Sequence, residues 1–234
     1  MDGRLDPTTL PEFLERITAF NEAPAPPEPR SYPGYPRISL PRPRPRWTSS
    51  LDHVLSTRRS VRPLGTDPVP PEVLGRVLLF AHGITGEDGR GPAPSSGGLQ
   101  CLELYLADLA GGWLGHGIHH YDRPGHHLSR LADGGPRAEW LPLVPSLHAV
   151  EGGALLWLLA GDAERLSSKY GERAERFLLL EAGHLMQNLC LVSGSLGWPT
   201  VPQGGFLERG LARRLVLPPS DRIVYAGVCG RAVS

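Results

Sequence analysis

The chain has 234 residues, enough for one large domain or a medium domain with an extension. Twenty-four basic residues balance 24 acidic ones, so net charge gives no support to a nucleic-acid backbone as the main partner. The longest apolar run, residues 154–160, is far short of the roughly 20 residues of a membrane span. The opening MDGRLDPTTLPEF has neither the positive start nor the apolar stretch of a secretory signal, which reads as a cytoplasmic protein.

In chain order, Leu10, Phe13, Leu14, Ile17 and Phe20 recur at helical spacing and predict a short amphipathic helix over residues 8–20. Residues 24–45 hold nine prolines interleaved with Arg42 and Arg44. That composition forbids helix and reads as an extended arm, either disordered or laid across a partner subunit. These features divide the chain into an N-terminal helix and arm, residues 1–47, and a folded domain, residues 48–234. Ser49 and Ser50 then cap a short helix that ends at Arg58 and Arg59, and Pro70 and Pro71 open a second one.

A Gly- and Pro-rich loop over residues 83–98 leads to a strand at 102–106. Residues 117–121 and 128–131 bracket the turn Asp122-Arg123-Pro124-Gly125 and read as a hairpin. The apolar stretch 153–160 fits a strand or a buried helical turn, because periodicity alone does not separate them. Residues 172–196 are apolar nearly all round a helix, as in a domain centre or a subunit interface. Small residues Ala182, Gly183 and Gly194 there allow close approach by a second helix or a flat ligand. A last strand covers 222–228. Helices and strands mix without regular alternation, which indicates an α+β fold.

Three cysteines, Cys101, Cys190 and Cys229, lie far apart and form no metal-type pair. Of the 24 basic residues only Lys169 is lysine. Arg and Lys are interchangeable on most surfaces but not where an amine must give up its proton, so a lone lysine is held either by chemistry or by chance.

Several short motifs could carry chemistry, and each has an ordinary alternative. Arg58, Ser60 and Arg62 flank a hydroxyl with guanidinium forks that match phosphate oxygens, or they form a solvated basic turn. Pro94, Ser95, Ser96 and Gly97 offer hydroxyls and exposed amides to a ligand, or form a plain loop. Gly204 and Gly205 would let backbone lie flat against a ring. His116, His119, His120, His126 and His127 lack a carboxylate or cysteine to complete a metal set. They read as exposed residues of a hairpin, and no metal is expected. Neither a GxGxxG after a strand nor a P-loop is present.

The order of these motifs carries more than any one of them. LDHVLSTRRSVRPL, PPEVLGRVLLFAHGIT and PAPSSGGLQCLELYLA, followed by GIHHYDRPGHHLSRL, SSKYGERAERFLLLEAGHLMQNLCLVSGSLGW, PQGGF and VYAGVCGRA, resemble the nitroreductase superfamily. The branch resembled most is that of the SagB-type dehydrogenases, which includes azoline oxidases of peptide natural-product pathways. The resemblance implies a nitroreductase-like fold, with a central mixed or antiparallel sheet flanked by helices. It also implies a homodimer with the long helix at its interface and FMN bound between the subunits.

By motif position, Arg58, Ser60 and Arg62 hold the FMN phosphate and ribityl chain, with Arg231 as a last phosphate contact. Pro94, Ser95, Ser96 and Gly97 reach the flavin from the same or the partner subunit, and Gly204 and Gly205 face flavin N5. Lys169 and Tyr170 fall where azoline oxidases carry a Lys-Tyr pair before a glycine. The implied reaction moves a hydride to the flavin and a proton to a base, and Lys169 is the base. The implied substrate is a small molecule or modified peptide, with biosynthetic partner proteins. An NAD(P)H-dependent nitro or quinone reductase, or a non-catalytic scaffold subunit, are the other expectations.

Overall fold

The computed structural model describes residues 28–45 and 49–233; the helix expected over residues 8–20 lies outside them. Seven strands form one sheet: β1 (Arg37–Ser39), β2 (Leu102–Asp108), β3 (Gly117–Asp122), β4 (His127–Asp133), β5 (Leu155–Asp162), β6 (Thr200–Gln203) and β7 (Asp221–Cys229). Their order is β1-β4-β3-β2-β5-β7-β6, and every pairing is antiparallel. Among the described residues five α-helices accompany it: α1 (Leu51–Thr57), α2 (Pro71–His82), α3 (Ala163–Tyr170), α4 (Ala174–Ser195) and α5 (Glu208–Arg214).

The central strands explain why periodicity left residues 153–160 open. Along β5, Leu155, Trp157 and Leu159 join one apolar layer and Leu156, Leu158 and Ala160 the other. A strand covered on both faces has no polar side, so its sequence is continuously apolar. The first layer receives Leu74 and Leu78 of α2 and Leu178, Leu185 and Leu189 of α4. Each of these five leucines is fully buried, worth about 1.5–3 kcal/mol apiece relative to exposure. The second layer holds Tyr105, Trp140, Leu147, Leu211 and Ile223.

One expectation is corrected. The histidines of the hairpin are not exposed: His119, His120 and His126 are 0%, 1% and 2% accessible. β3 lies inside the sheet between β4 and β2, and Tyr32 of the arm stacks on His120 with ring centroids 4.9 Å apart. The long helix is covered on one side within the chain. Its stripe through Ala174, Leu178, Ala182, Leu185 and Leu189 is buried, whereas Leu179 and Leu180 stay about half exposed.

The described part of the proline-rich arm runs extended and adds β1 beside β4. Arg30 ties it down by donating to Asp221 and, at 3.1 Å, to the Tyr105 hydroxyl. No described helix is long and apolar enough to cross a membrane.

Candidate active site

The sequence-predicted site residues gather in three places. The first is the turn after α1. Ser50 caps that helix, its Oγ accepting from the His53 amide at 3.2 Å, a contact worth about 1 kcal/mol. The Arg58 amide closes the other end on the Val54 carbonyl at 2.9 Å. Arg58 lines a groove of about 120 Å³ whose opposite wall is α4, with Cys190, Gly194 and Ser195. Burial pushes the Cys190 thiol up to about 11, the nearby Arg58 charge pulling the other way. Cys190 is therefore a protonated wall residue rather than a nucleophile.

Ser60 and Arg62 are exposed beyond Arg58. The chain's end returns to this place: the Gly65 amide donates to the Arg231 carbonyl at 2.8 Å, and Ala232 lines the same groove. Among the described residues no carboxylate pairs with Arg58, Arg62 or Arg231.

The second place is the loop through Pro94, Ser95, Ser96 and Gly97. Gly97 and Gly98 both have positive φ, 60° and 73°, which is why glycines stand there. The Ser95 hydroxyl accepts from the Gln100 amide at 2.7 Å, and the Ser96 amide donates to Glu181. Glu181 is 4% exposed. Burial raises its carboxyl pKa, while the bonds from Ser96 and Ser95 pull it back.

Lys169 and Tyr170 reach this loop from the last turn of α3, a helix capped by Asp162, whose Oδ1 accepts from the Arg165 amide at 3.1 Å. A methyl group added at Gly97 would lie 2.7 Å from Lys169 Nζ and 2.7 Å from Tyr170 Oη. The Tyr170 ring packs on Phe177 with centroids 4.5 Å apart, and Lys169 Nζ stands 5.7 Å from the Tyr170 ring centroid. Burial and the Glu181 charge raise the Tyr170 phenol, so it is a hydrogen-bond donor at neutral pH. Behind the loop, a cleft of about 360 Å³ is lined by His82, Gln100, Arg123, Glu181 and Leu185 among others.

The third place is the turn after β6. Gly204 has no atom within 4 Å of an added methyl group, and Gly205 rests on Ser146, whose amide donates to its carbonyl at 3.2 Å. β6 starts beside the end of α4, where Ser193 and Thr200 hydroxyls meet at 2.9 Å.

α4 thus separates the groups. Glu181 marks the loop end and Gly194 the Arg58 end, and 13 residues of helix span about 20 Å. Sequence reasoning missed Glu181, Arg123, Gln100 and His82. Glu181 had a readable signal, since it falls three residues after Leu178 and four before Leu185, on the buried stripe.

The comparisons bear on the family and the fold that carries these residues. The nitroreductase family pattern matches residues 55–231. A Methanocaldococcus jannaschii protein provisionally named a nitroreductase is 31% identical over 160 residues, covering 68% of this chain and 80% of that one. A crystal structure from Ralstonia eutropha, also provisionally named a nitroreductase, has a TM-score of 0.74 at 25% identity, covering 91% of this chain and 97% of that one.

A chain of the Escherichia coli microcin synthetase McbBCD complex, solved with truncated pro-MccB17 bound, has a TM-score of 0.64 at 19% identity. It is covered to 85%, and this chain to 100%. A Desulfovibrio desulfuricans structure in complex with FMN has a TM-score of 0.55 at 19% identity, with 80% of this chain and 88% of that one covered. At 19% identity these last two likenesses speak for the fold. Sequence pattern, close relative and sheet-and-helix frame converge on one placement, and this chain belongs to the nitroreductase family.

Proposed function

We propose that the chain is an FMN-dependent oxidoreductase acting as a homodimer, and that it converts thiazoline or oxazoline rings of a modified peptide into aromatic azoles. The observation that carries this reading is the meeting of Lys169 Nζ and Tyr170 Oη at Gly97. The chain's single lysine stands against the loop that family resemblance assigns to the flavin.

The residues suit FMN at both of its ends. At the phosphate end Arg58, Arg62 and Arg231 are cations that no described carboxylate neutralises, beside a groove kept open by Gly194 and Gly197, where an added methyl group meets nothing within 4 Å. For the ring, Gly204 presents open backbone in the turn after β6, and Pro94, Ser95, Ser96 and Gly97 offer a second wall from their own loop. About 20 Å of helix α4 separates the residues beside the two ends, which favours a flavin shared between two copies. A two-fold pair with antiparallel α4 helices meeting on their half-exposed Leu179–Leu180 sides would bring the Arg58 end of one copy to the 94–98 loop of the other.

When bound, FMN supplies a hydride acceptor at ring N5. The chain's own residues handle the proton: Lys169 Nζ takes it from the azoline carbon, and the Tyr170 phenol holds the partners in line, its O–H donating to the ring nitrogen or its oxygen accepting an N–H of the amine. Glu181 fixes the loop by receiving the Ser96 amide. Biosynthetic partner proteins that present the peptide fit the likeness to the microcin synthetase chain.

The test is turnover of a thiazoline-bearing peptide by wild type, Lys169→Ala and Lys169→Arg. The reading expects both variants to lose about 10²- to 10⁴-fold; equal rates in all three refute Lys169 as the base. The names of the archaeal and Ralstonia relatives favour a second reading, an NAD(P)H-dependent reductase of nitro compounds or quinones. Rapid anaerobic bleaching of the bound flavin by NADPH selects that reading, and its absence selects the first.

A further inference from the structure

The cleft of about 360 Å³ behind the 94–98 loop contains a charge that the reading above does not use. Arg123, in the β3–β4 turn, is 9% exposed. Its Nε donates to the His82 carbonyl at 2.7 Å and its Nη1 to Gln100 Oε1, which fixes the guanidinium plane. Nη2 donates to no described residue. It stands beside Gly91, where an added methyl group would come within 3.2 Å of it, and both residues line the cleft.

No described carboxylate pairs with Arg123. Glu103 is taken by His120 at 2.9 Å, and Glu181 receives the Ser96 amide and the Ser95 hydroxyl. At the mouth, Arg90 pairs with Asp88 at 3.3 Å. His82 adds no positive charge, because burial and the neighbouring Arg123 hold its imidazole well below the usual range. Glu103 and Glu181 favour the Arg123 charge without pairing with it, while burial opposes it; a ligand anion within hydrogen-bond reach offsets that burial cost.

We propose that this cleft is a subsite for one carboxylate group of a small ligand, with Arg123 Nη2 holding a carboxylate oxygen. With Nε and Nη1 engaged, Nη2 offers a single charge-assisted N–H bond, which suits one carboxylate oxygen rather than a forked grip on a phosphate. The volume is near the small end of ligand pockets, enough for a single heterocycle and its acid group. Only its role as a substrate subsite rests on the oxidoreductase reading; the binding itself does not.

The experiment is calorimetric titration of the purified full-length protein with thiazole-4-carboxylate and with the neutral thiazole-4-carboxamide. The acid is expected to bind about ten- to a hundredfold more tightly than the amide, and Arg123→Gln to remove that preference. Phenylglyoxal modification of the wild type, mapped by peptide mass, keeps the test independent of variant folding: the acid should protect Arg123 and the amide should not. Equal affinity for the two probes, no binding of either, a preference that survives Arg123→Gln, or tighter binding of inorganic phosphate overturns the proposal. A flavin-free protein that still prefers the acid keeps the subsite and refutes the oxidoreductase reading. A flavin-loaded protein indifferent to the acid does the reverse.

Discussion

Replacing Gly97 and Gly98 separately by alanine isolates what the Lys169–Tyr170 contact does. Both glycines have positive φ, 60° and 73°, so each substitution carries a left-handed penalty of about 1–2 kcal/mol. At about 2–4 °C per kcal/mol for a chain of this size, each variant should melt roughly 2–8 °C lower. Only Gly97→Ala adds a methyl group 2.7 Å from Lys169 Nζ and Tyr170 Oη; at Gly98 nothing lies within 4 Å. Tyr170 is pinned by Phe177, so the displacement falls on the amine.

A shift near 1 Å at a reacting group costs about 10²-fold in rate, so Gly97→Ala should lose azoline turnover to that degree while Gly98→Ala keeps most of it. Because Lys169 is the chain's only lysine, the rate at which an amine-reactive label modifies its peptide, followed by mass apart from the N-terminal amine, reads the same displacement without any substrate. Equal turnover and equal labelling in the two variants would show that the pair does not depend on the loop.

Acid should destabilise the protein through His119, whose imidazole burial lowers from 6.5 to about 4. A lowered folded pKa gives stability that is present above 6.5 and lost as pH falls toward 4, roughly 3 kcal/mol at 1.36 kcal/mol per unit. Denaturant titrations of His119→Leu should show a shallower acid loss across that window. Glu181 works in the opposite sense: its raised carboxyl pKa costs stability as pH climbs past 4.5, so Glu181→Gln should match or exceed wild type at pH 7 and lose the advantage in acid. Leu178→Ala, in the buried stripe of α4, should cost about 2–5 kcal/mol by chemical denaturation. Leu180→Arg, on its half-exposed side, should leave monomer stability within about 0.5 kcal/mol but dissociate the proposed dimer in sedimentation.

Helix α2 was legible because Pro71 starts it and its inner face repeats at 3.6 residues, and the β3–β4 hairpin because Asp122 to Gly125 is turn chemistry. The nature of β5 was not, since Leu155 to Ala160 serves two cores at once. The histidines were misplaced for a related reason: their alternation says two faces, not that both are covered, and the cover on His120 comes from Tyr32, 88 positions earlier in the chain. Arg58 and Lys169 could be singled out by residue chemistry. That they stand at opposite ends of α4, and that Arg123 forms no ion pair with a described carboxylate, are facts of long-range packing that no local window contains.

Whether one catalytic centre is assembled from two copies can be asked by mixing inactive partners. Arg58→Ala spoils the phosphate end and Lys169→Ala the base, so a mixed dimer would hold one centre with both lesions and one with neither. After unfolding and refolding the two variants together, random pairing should restore about a quarter of wild-type activity if each centre draws on both chains. Activity no higher than that of the separate variants would mean that each chain builds its own centre.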